Sequence, residues 1–301
     1  MSIHASHLFD LDAIMLSPIC DLGDGLSSRR ALPSSHRRMV GPSVFLDHLG
    51  PRVFEAGHGF AMQPHPHIGL AAVTYLIDGE IIHRDSLGSI ETIRPGEVNW
   101  MTAGSGIVHS ERASPASRAS GGDLLGFQAW VALPARHEEM SPGFAHYSAP
   151  EVPRLCAQGV EFTLIAGRSD GLVSPAESLS DLVLAQIVLT SGARYQVKAD
   201  FLQRAIYVAS GEVEIAGEAR IFGEAELILL KPGAEIVVRA PAFHSARLML
   251  MGGEPYPEPR HIYWNFVSSS LDRIAQAKAD WREGRFASVP GEHEFIPLPE
   301  E

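Results

Sequence analysis

Two pairs of potential metal ligands constrain this chain more than any other feature of its sequence. His65-Pro66-His67 is followed, after 41 intervening residues, by His109-Ser110-Glu111. Side chains two positions apart on a β-strand share a face, so each pair can direct both of its members at one point. The pattern therefore predicts a metal site of three imidazoles and one carboxylate, built on β-strands.

The types of ligand narrow the choice of metal. Imidazole suits Zn, Cu, Fe and Ni, whereas a carboxylate favours harder ions, so a mixed set without thiolate favours Fe(II), Mn(II), Co(II) or Ni(II) over structural zinc. Four protein ligands on an octahedral metal leave two positions open, as a catalytic or substrate-sensing site requires. The alternative is that some of the 14 histidines are ordinary surface or hydrogen-bonding residues.

The segment between the two pairs consists of short apolar or alternating stretches separated by turn residues. No helical period runs through it, and strands at this spacing are typical of an all-β sandwich or barrel. Asp78-Gly79 is a hairpin signal, so we expect the strands on either side of it to pair. His83-Arg84-Asp85 falls at the end of the second strand. The predicted strands are 70–77, 80–85, 90–93 and 98–101.

The second half of the chain carries a weaker copy of this pattern. Ser210-Gly211-Glu212 corresponds to Asp78-Gly79-Glu80 at an offset of 132 residues, and 230–235 corresponds to 93–98 at an offset of 137. The repeat predicts a second β-barrel. Offsets of 132 to 137 carry the ligand pairs close to 197–199 and 244–246, where only His244 is a metal-binding residue. We therefore expect the second barrel to lack a metal.

These observations give a two-domain organisation for the 301 residues. The expected domains are an N-terminal metal-binding barrel at 1–140 and a C-terminal barrel at 156–301, joined by a Pro-rich polar linker at 141–155. Helical spacing of Leu271, Ile274, Lys278 and Trp281 predicts a helix over about 270–283, with Gly284 ending it. Residues 112–122, directly after Glu111, are expected to form either a rim over the metal or a plain surface loop.

The first half resembles known families. Gly59 to Gly79 reads G-x5-H-x-H…G, which resembles the cupin motif. The longer string PHPHIGLAAVTYLIDGEIIHRDSLGSIETIRPGEVNWMTAGSGIVHSE at 64–111, with GPSVFLDHLGP at 41–51, is similar to the signature of the pirin family. The resemblance implies two cupin (jelly-roll) β-barrels in tandem with a short C-terminal helix. It also implies that His65, His67, His109 and Glu111 are the iron ligands.

The sequence departs from the pirin pattern beside the metal. Many pirins have Arg-Gly-Phe-Glu after the second histidine, where this chain has Ile68-Gly69-Leu70-Ala71. General cupins carry a ligand Glu in this region, so here the carboxylate has to come from Glu111. Asp47, His48, His58, Gln63 and Met101 are expected to be core or pocket-lining residues.

The resemblance also carries an expected function. It implies a single mononuclear Fe(II) site, other divalent transition metals being alternatives, and a dioxygenase that cleaves a flavonol such as quercetin with O2. Glu111 would then serve as ligand and as catalytic general base. The alternative is a metal- or redox-dependent regulatory protein that modulates a protein partner without turnover. In that case the metal sets the shape of a binding surface. A third alternative is that flavonol cleavage is incidental and the physiological substrate is another compound.

Composition argues against several other classes. A net charge of −12 opposes direct binding of nucleic acid. Met1 to His7 carries no basic and apolar leader, so neither secretion nor membrane insertion is expected. The two cysteines, Cys20 and Cys156, are expected to be reduced packing residues of a cytoplasmic protein.

Overall fold

The computed structural model describes residues 10–23 and 25–300, so the N-terminal segment from Met1 to His7 lies outside the described residues. Packing contacts divide the chain into two compact β units. The first, here called the metal-site unit, contains 19–23, 25–29, 44–151 and 256–300; the second unit contains 10–18, 30–43 and 152–255. An all-β fold with two barrels and one short C-terminal helix is confirmed.

The metal-site unit is a sandwich of two antiparallel sheets. Apolar side chains of both sheets, among them Leu76, Ile81, Ile93 and Leu124, form the core between them. The larger sheet has the order β12-β9-β6-β11-β4-β3-β2 and the smaller one β5-β10-β7-β8. The strands are β2 Ile19–Gly23, β3 Leu26–Leu32, β4 Ser43–Phe54, β5 Ala61–His67, β6 Leu70–Asp78, β7 Ile81–Asp85, β8 Ile90–Ile93, β9 Val98–Thr102, β10 Ile107–Arg112, β11 Gly122–Ala132 and β12 Gly143–Tyr147.

The second unit repeats this design. Its larger sheet runs β1-β21-β18-β23-β16-β14-β13, with β15 beside β14, and its smaller sheet runs β17-β22-β19-β20. The strands are β1 Leu11–Leu16, β13 Arg154–Ala157, β14 Val160–Ser169, β15 Leu172–Val173, β16 Leu182–Leu189, β17 Arg194–Val197, β18 Gln203–Gly211, β19 Val213–Ile215, β20 Ile221–Phe222, β21 Glu226–Leu230, β22 Ile236–Arg239 and β23 Ala246–Gly253.

The hairpin predicted at Asp78-Gly79 is wrong. The turn joins β6 to β7, but β6 pairs with β9 and β11, whereas β7 pairs with β8 and β10. β6 lies in the larger sheet and β7 in the smaller one, so this turn marks a crossing between the two layers of the jelly roll. The strand bounds themselves match the prediction to within one residue at each end.

The compact units differ from the predicted contiguous ranges at both termini and at the linker. β1 pairs with β21 of the second unit, and the last part of the chain packs in the metal-site unit, where Phe266, Ile274 and Ala277 form a cluster with Ile68. This part holds β24 His261–Tyr263, β25 Phe266–Ser268 and helix α2 Leu271–Arg282. The expected linker 141–155 contains β12, an edge strand that pairs with β9. All residues of β12 are half-buried, so its sequence shows no alternation of buried and exposed positions that would predict a strand.

Helix α2 begins as the sequence predicts. Ser270 is its N-cap, with a side-chain oxygen that accepts a hydrogen bond from the amide of Arg273. Ile274 and Ala277 are buried, while Leu271 is 63% exposed.

No helix of the described residues is both long and apolar enough to cross a membrane. Both cysteines are free; Cys156 is exposed, so its predicted packing role is wrong, because it lies on the edge strand β13.

A buried ion pair holds the end of β25 and the start of α2 in the metal-site unit. Glu138 Oε1 lies 3.0 Å from Nε of Arg260, whose side chain is fully buried. The same carboxylate accepts hydrogen bonds from the Ser268 hydroxyl at 2.9 Å and the Ser269 amide at 2.9 Å. Glu138 therefore closes a network in which each buried charge has partners.

We expect Glu138→Ala to lower the free energy of unfolding by about 3 kcal/mol or more. The buried Arg260 guanidinium would lose its close counter-charge and keep only the exposed Glu258, 3.9 Å from its Nη1 atom. The neighbouring Glu139 makes an exposed pair with Arg273 at 2.8 Å. Its replacement by alanine should cost less than about 1 kcal/mol. Urea unfolding of the two variants measures the difference, and equal costs would contradict this assignment.

Candidate metal centre

Three of the predicted ligands converge inside the small sheet of the metal-site unit. β5 and β10 are antiparallel neighbours, with His65 opposite His109 and His67 opposite Ile107. The rings of His65, His67 and His109 are buried, and their centroids lie 4.4 to 5.0 Å apart. Their nitrogens lie within 4.8 Å of one another. The structure therefore brings these three side chains together. That they hold a metal ion stays a prediction.

One pair of nitrogens has the spacing of adjacent ligands on one metal ion. Nε2 of His67 lies 3.1 Å from Nε2 of His109. Two nitrogens bound at right angles to an ion, each at about 2.1 Å, are about 3.0 Å apart. The observed spacing is therefore the one expected for adjacent ligands of an octahedral ion.

Hydrogen bonding orients the first of the three rings. Nδ1 of His65 lies 2.8 Å from the backbone oxygen of Gln63, so Nδ1 carries the proton and donates it to the carbonyl. The Nε2 lone pair is left free. A ligand histidine held in this way has its tautomer and ring direction set before a metal binds.

Burial keeps all three rings neutral. Loss of solvation lowers the pKa of His65 to about 4, although the bond to Gln63 acts in the opposite sense. Burial also lowers the pKa of His67 and His109 well below the ordinary value, and the neighbouring imidazoles add to the effect. At neutral pH the rings therefore present lone pairs, the form that metals bind.

Glu111 groups with His109 and a further histidine, His83, rather than with all three predicted ligands. Its Oε1 accepts a hydrogen bond of 3.1 Å from the Thr74 hydroxyl, which also lies 2.9 Å from Oε1 of Gln128. Burial raises the pKa of Glu111, and the proximity of His83 and the bond from Thr74 offset part of that rise. A carboxyl group in this environment is a stronger base than an exposed one.

Sequence reasoning missed His83 and Asp85 as parts of the site. Both are buried on β7, where His83 lies opposite Glu111 and Asp85 opposite His109. His83 Nδ1 is 3.3 Å from Nδ1 of His109, and its Nε2 is 3.0 Å from Oδ2 of Asp85. The signal that could have found them is the one used for the ligands: His-x-Asp on a predicted strand places both side chains on one face.

Aromatic rings surround the imidazoles. Trp130 contacts His67 edge-on with centroids 5.2 Å apart, and Phe144 stacks on His83 at 4.2 Å. These rings make the surroundings of His67 and His83 apolar, which strengthens electrostatic interactions there.

The departures from the pirin pattern have a packing explanation. Ile68 is fully buried against Phe266, Ile274 and Ala277, and Ala71 is fully buried on β6. A charged arginine at position 68 would have to enter this apolar cluster unpaired, which is costly. The apolar side chain at 68 therefore fits the C-terminal segment that covers it.

The other residues singled out in the sequence lie around the site or away from it. His48 is buried and stacked on Phe127 at 4.8 Å, as expected, whereas His58 is exposed, so the core or pocket position predicted for it is wrong. Asp47 and Met101 are buried, and Asp47 accepts a hydrogen bond from Ser28. Within 112–122 lies a short helix, α1 Pro115–Ser120, capped by Ser114.

In the second unit, aliphatic side chains occupy the positions equivalent to the ligands. Register pairs Ile236 of β22 with Val197 of β17, and Val238 with Ile215 of β19, just as His109 pairs with His65 and Glu111 with His83. All four aliphatic residues belong to the buried core of that unit. Aliphatic groups carry no lone pairs, so the equivalent of the metal site is a hydrophobic core.

The predicted equivalence of 244–246 with the second ligand pair is wrong. His244 is exposed in the turn before β23. Pro232-Gly233 precedes β22 of the small sheet, whereas Pro95-Gly96 precedes β9 of the large sheet, so the two turns are not equivalent. The predicted counterpart of His65, Val197, does match the observed register.

A jelly roll with His-x-His and His-x-Glu on neighbouring strands of its smaller sheet defines a cupin-type metal-binding fold. The comparisons agree. A family model described as Pirin matches 25–131, and one described as Pirin C-terminal cupin domain matches 184–287. The chain belongs to the pirin family.

Individual relatives cover most of the chain. A pirin-like protein of Caulobacter vibrioides is 48% identical over 93% of this chain and 96% of its own length. A Pseudomonas aeruginosa protein with the provisional name quercetin 2,3-dioxygenase is 40% identical over 88% and 81%. The crystal structure of a quercetin 2,3-dioxygenase from Acinetobacter baumannii has a TM-score of 0.87 at 33% identity, covering 96% of this chain and 95% of its own. A bacterial pirin from Escherichia coli, in complex with nickel(II), shares the fold at a TM-score of 0.60 and 21% identity, with 81% and 100% covered.

Proposed function

We propose that this chain is a mononuclear iron dioxygenase that cleaves a flavonol such as quercetin with O2. The observation that carries the proposal is the buried convergence of three neutral imidazoles beside a carboxyl group of raised pKa. The names of the Pseudomonas and Acinetobacter relatives support the substrate class. Fe(II) is the proposed metal, held by His65, His67, His109 and Glu111.

The protein residues would divide the work as follows. A bound Fe(II) supplies Lewis acidity toward a hydroxy-ketone and one-electron chemistry toward dioxygen. The three histidines hold it without adding charge. Glu111 accepts the proton of the substrate hydroxyl at a carboxylate oxygen, which its raised pKa favours. Thr74 donates to Oε1 of that carboxylate and fixes its direction. The rings of Trp130 and Phe144 keep bulk water away from the reacting groups.

We expect Glu111→Gln to reduce oxygen-dependent loss of quercetin to background, because glutamine cannot accept the substrate proton and is a poorer ligand. An oxygen electrode and absorption spectroscopy on iron-loaded protein measure this. Glu55→Gln, an exposed change in the same unit, is the matched control and should keep full activity. Full turnover by Glu111→Gln would refute the proposed role.

A second candidate is the regulatory role, in which the metal modulates a protein partner. One observation favours it: Ser110, between two proposed ligands, donates a hydrogen bond of 2.6 Å to Glu292, and Arg112 bonds the same carboxylate at 2.8 Å. The C-terminal segment thus touches a ligand strand from outside and also carries the exposed Phe295. Steady oxygen consumption with quercetin supports the enzyme; metal-dependent partner binding without turnover supports the regulator.

A cytoplasmic location remains a prediction from the sequence.

A further inference from the structure

His83 and Asp85 form a buried chain of polar contacts that ends on a proposed metal ligand. Asp85 Oδ2 is 3.0 Å from Nε2 of His83, and Nδ1 of His83 is 3.3 Å from Nδ1 of His109. All three side chains are at most 2% exposed. Water therefore cannot replace either contact, and each proton in the chain has to lie on a defined atom.

The direction of this chain follows from its carboxylate end. The Oδ1 atom of Asp85 accepts the amides of Leu87 at 2.9 Å and Ser89 at 3.0 Å. Its other oxygen faces His83 and can only accept, so His83 carries its proton on Nε2. In neutral His83 the Nδ1 atom is then an acceptor. His109 must donate from its own Nδ1, which leaves the Nε2 lone pair for a metal.

We propose that Asp85 and His83 are positioning residues that fix the tautomer of His109, so that its Nε2 atom is a preformed metal donor. The inference rests on the metal centre proposed above. It adds that the proposed ligand His109 is held by a second imidazole, that of His83. The tautomer of His65 is fixed in the same way, but directly by a backbone carbonyl, that of Gln63. His109 has no such carbonyl contact among the described hydrogen bonds, so its tautomer is fixed by residues of β7 instead. Partners of this kind raise ligand basicity and restrict ring rotation.

Asp85→Asn is a sharp test, because it changes the proton pattern and little else. The two backbone amides hold the oxygen of the asparagine at the Leu87 and Ser89 side, so its NH2 group faces His83. His83 must then accept at Nε2 and donate from Nδ1. His109 is driven to accept at Nδ1 and to carry its proton on Nε2, where the metal should bind. The turn at 85–89 keeps its hydrogen bonds, so a merely structural role of Asp85 would leave metal binding unchanged.

A second pair of variants separates the acceptor from the packing. His83→Phe keeps a ring against Phe144 but removes the acceptor, whereas His83→Gln offers a side-chain oxygen to the Nδ1 proton of His109. We expect Asp85→Asn and His83→Phe each to weaken Co(II) binding by about 10- to 100-fold, the usual effect of losing such a partner. His83→Gln should recover most of the affinity.

The measurements are Co(II) titration of the metal-free protein by visible absorption and ¹⁵N NMR of its histidine rings. The account requires the ¹⁵N shifts of His109 to report a proton on Nδ1 in the wild type and on Nε2 in Asp85→Asn. Wild-type affinity in both Asp85→Asn and His83→Phe would overturn it. So would two Co(II) ions per chain with one lost in His83→Phe, since His83 would then be a ligand. If the wild type binds no Co(II), the proposed metal centre fails instead.

Discussion

Replacing His67 with alanine is expected to weaken binding of Fe(II) or Co(II) by more than about 100-fold, since loss of an outer hydrogen-bond partner alone costs 10- to 100-fold. His67 is almost fully buried, and its Nε2 atom faces that of His109 at 3.1 Å. No other described side chain is grouped with His65 and His109 in a position to replace it. Oxygen consumption with quercetin should fall in parallel with metal content.

The matched control for this change is His58→Ala. His58 precedes the ligand pair by only a few residues but is exposed, so its loss should leave metal content and activity at the wild-type level. His67→Gln keeps a polar side chain in the site, so it tests whether metal is lost through misfolding rather than through loss of the ligand. Elemental analysis measures the metal content of each variant, and thermal unfolding measures its stability. Retention of stoichiometric metal by folded His67→Ala would contradict the assignment of this ligand.

Gly69→Ala is expected to destabilise the metal-site unit by more than about 4 kcal/mol, within the range reserved for severe steric conflicts. Gly69 has a φ of +68°, and a Cβ atom there would lie 1.9 Å from the backbone oxygen of Val267. Ordinary contact distances are about 3.5 Å or more. The backbone would have to move. Two hydrogen bonds resist that movement: the Gly69 amide donates to the carbonyl oxygen of Gly104, and the Val267 amide donates to that of Ile68.

Gly88→Ala separates the conformational part of this effect from the steric part. Gly88 has a φ of +89° but no atom within 4 Å of the added Cβ. Its replacement should cost only about 1 to 2 kcal/mol, the strain of a left-handed backbone. Urea unfolding of both variants measures the difference. Similar costs at the two positions would show that the close approach of Val267 contributes little. Because Gly69 follows His67 so closely, folded Gly69→Ala protein should also bind metal more weakly.

The strands that carry the site could be predicted because their side chains have strong local patterns. β6 to β9 are rich in β-branched and aromatic residues and are bounded by Gly, Pro and Asp, so their bounds are visible in the sequence. The pairing of these strands could not be predicted from the same local patterns. Asp78-Gly79 has the chemistry of a hairpin turn, yet in a jelly roll the flanking strands enter different sheets, a choice made by burial of both sheet faces rather than by the turn.

Two features of the site depended on tertiary contacts that no local pattern records. His83 and Asp85 are brought to His109 and Glu111 by the register of β7 with β10. The burial of Ile68 depends on Phe266 and α2, which follow it by about 200 residues. The division of the termini between the units has the same origin, since β1 and the C-terminal segment are placed by pairing and packing with distant parts of the chain.

The internal repeat located the second barrel but not its register. Offsets read from turn motifs led to His244, whereas strand pairing leads to Ile236 and Val238. The difference arises because His83 and Ile215 are 132 positions apart while His109 and Ile236 are 127 apart, so the connection is five residues shorter in the second unit. Only the hydrogen-bonded ladders reveal such a change.

The most direct test of the metal centre is anomalous X-ray diffraction at the iron edge from crystals of the iron-loaded protein. We predict a single anomalous peak per chain among His65, His67, His109 and Glu111, with His83 outside the ligand sphere and no peak among the aliphatic residues around Ile236. Absence of that peak, or a peak elsewhere in the chain, would contradict the central claim.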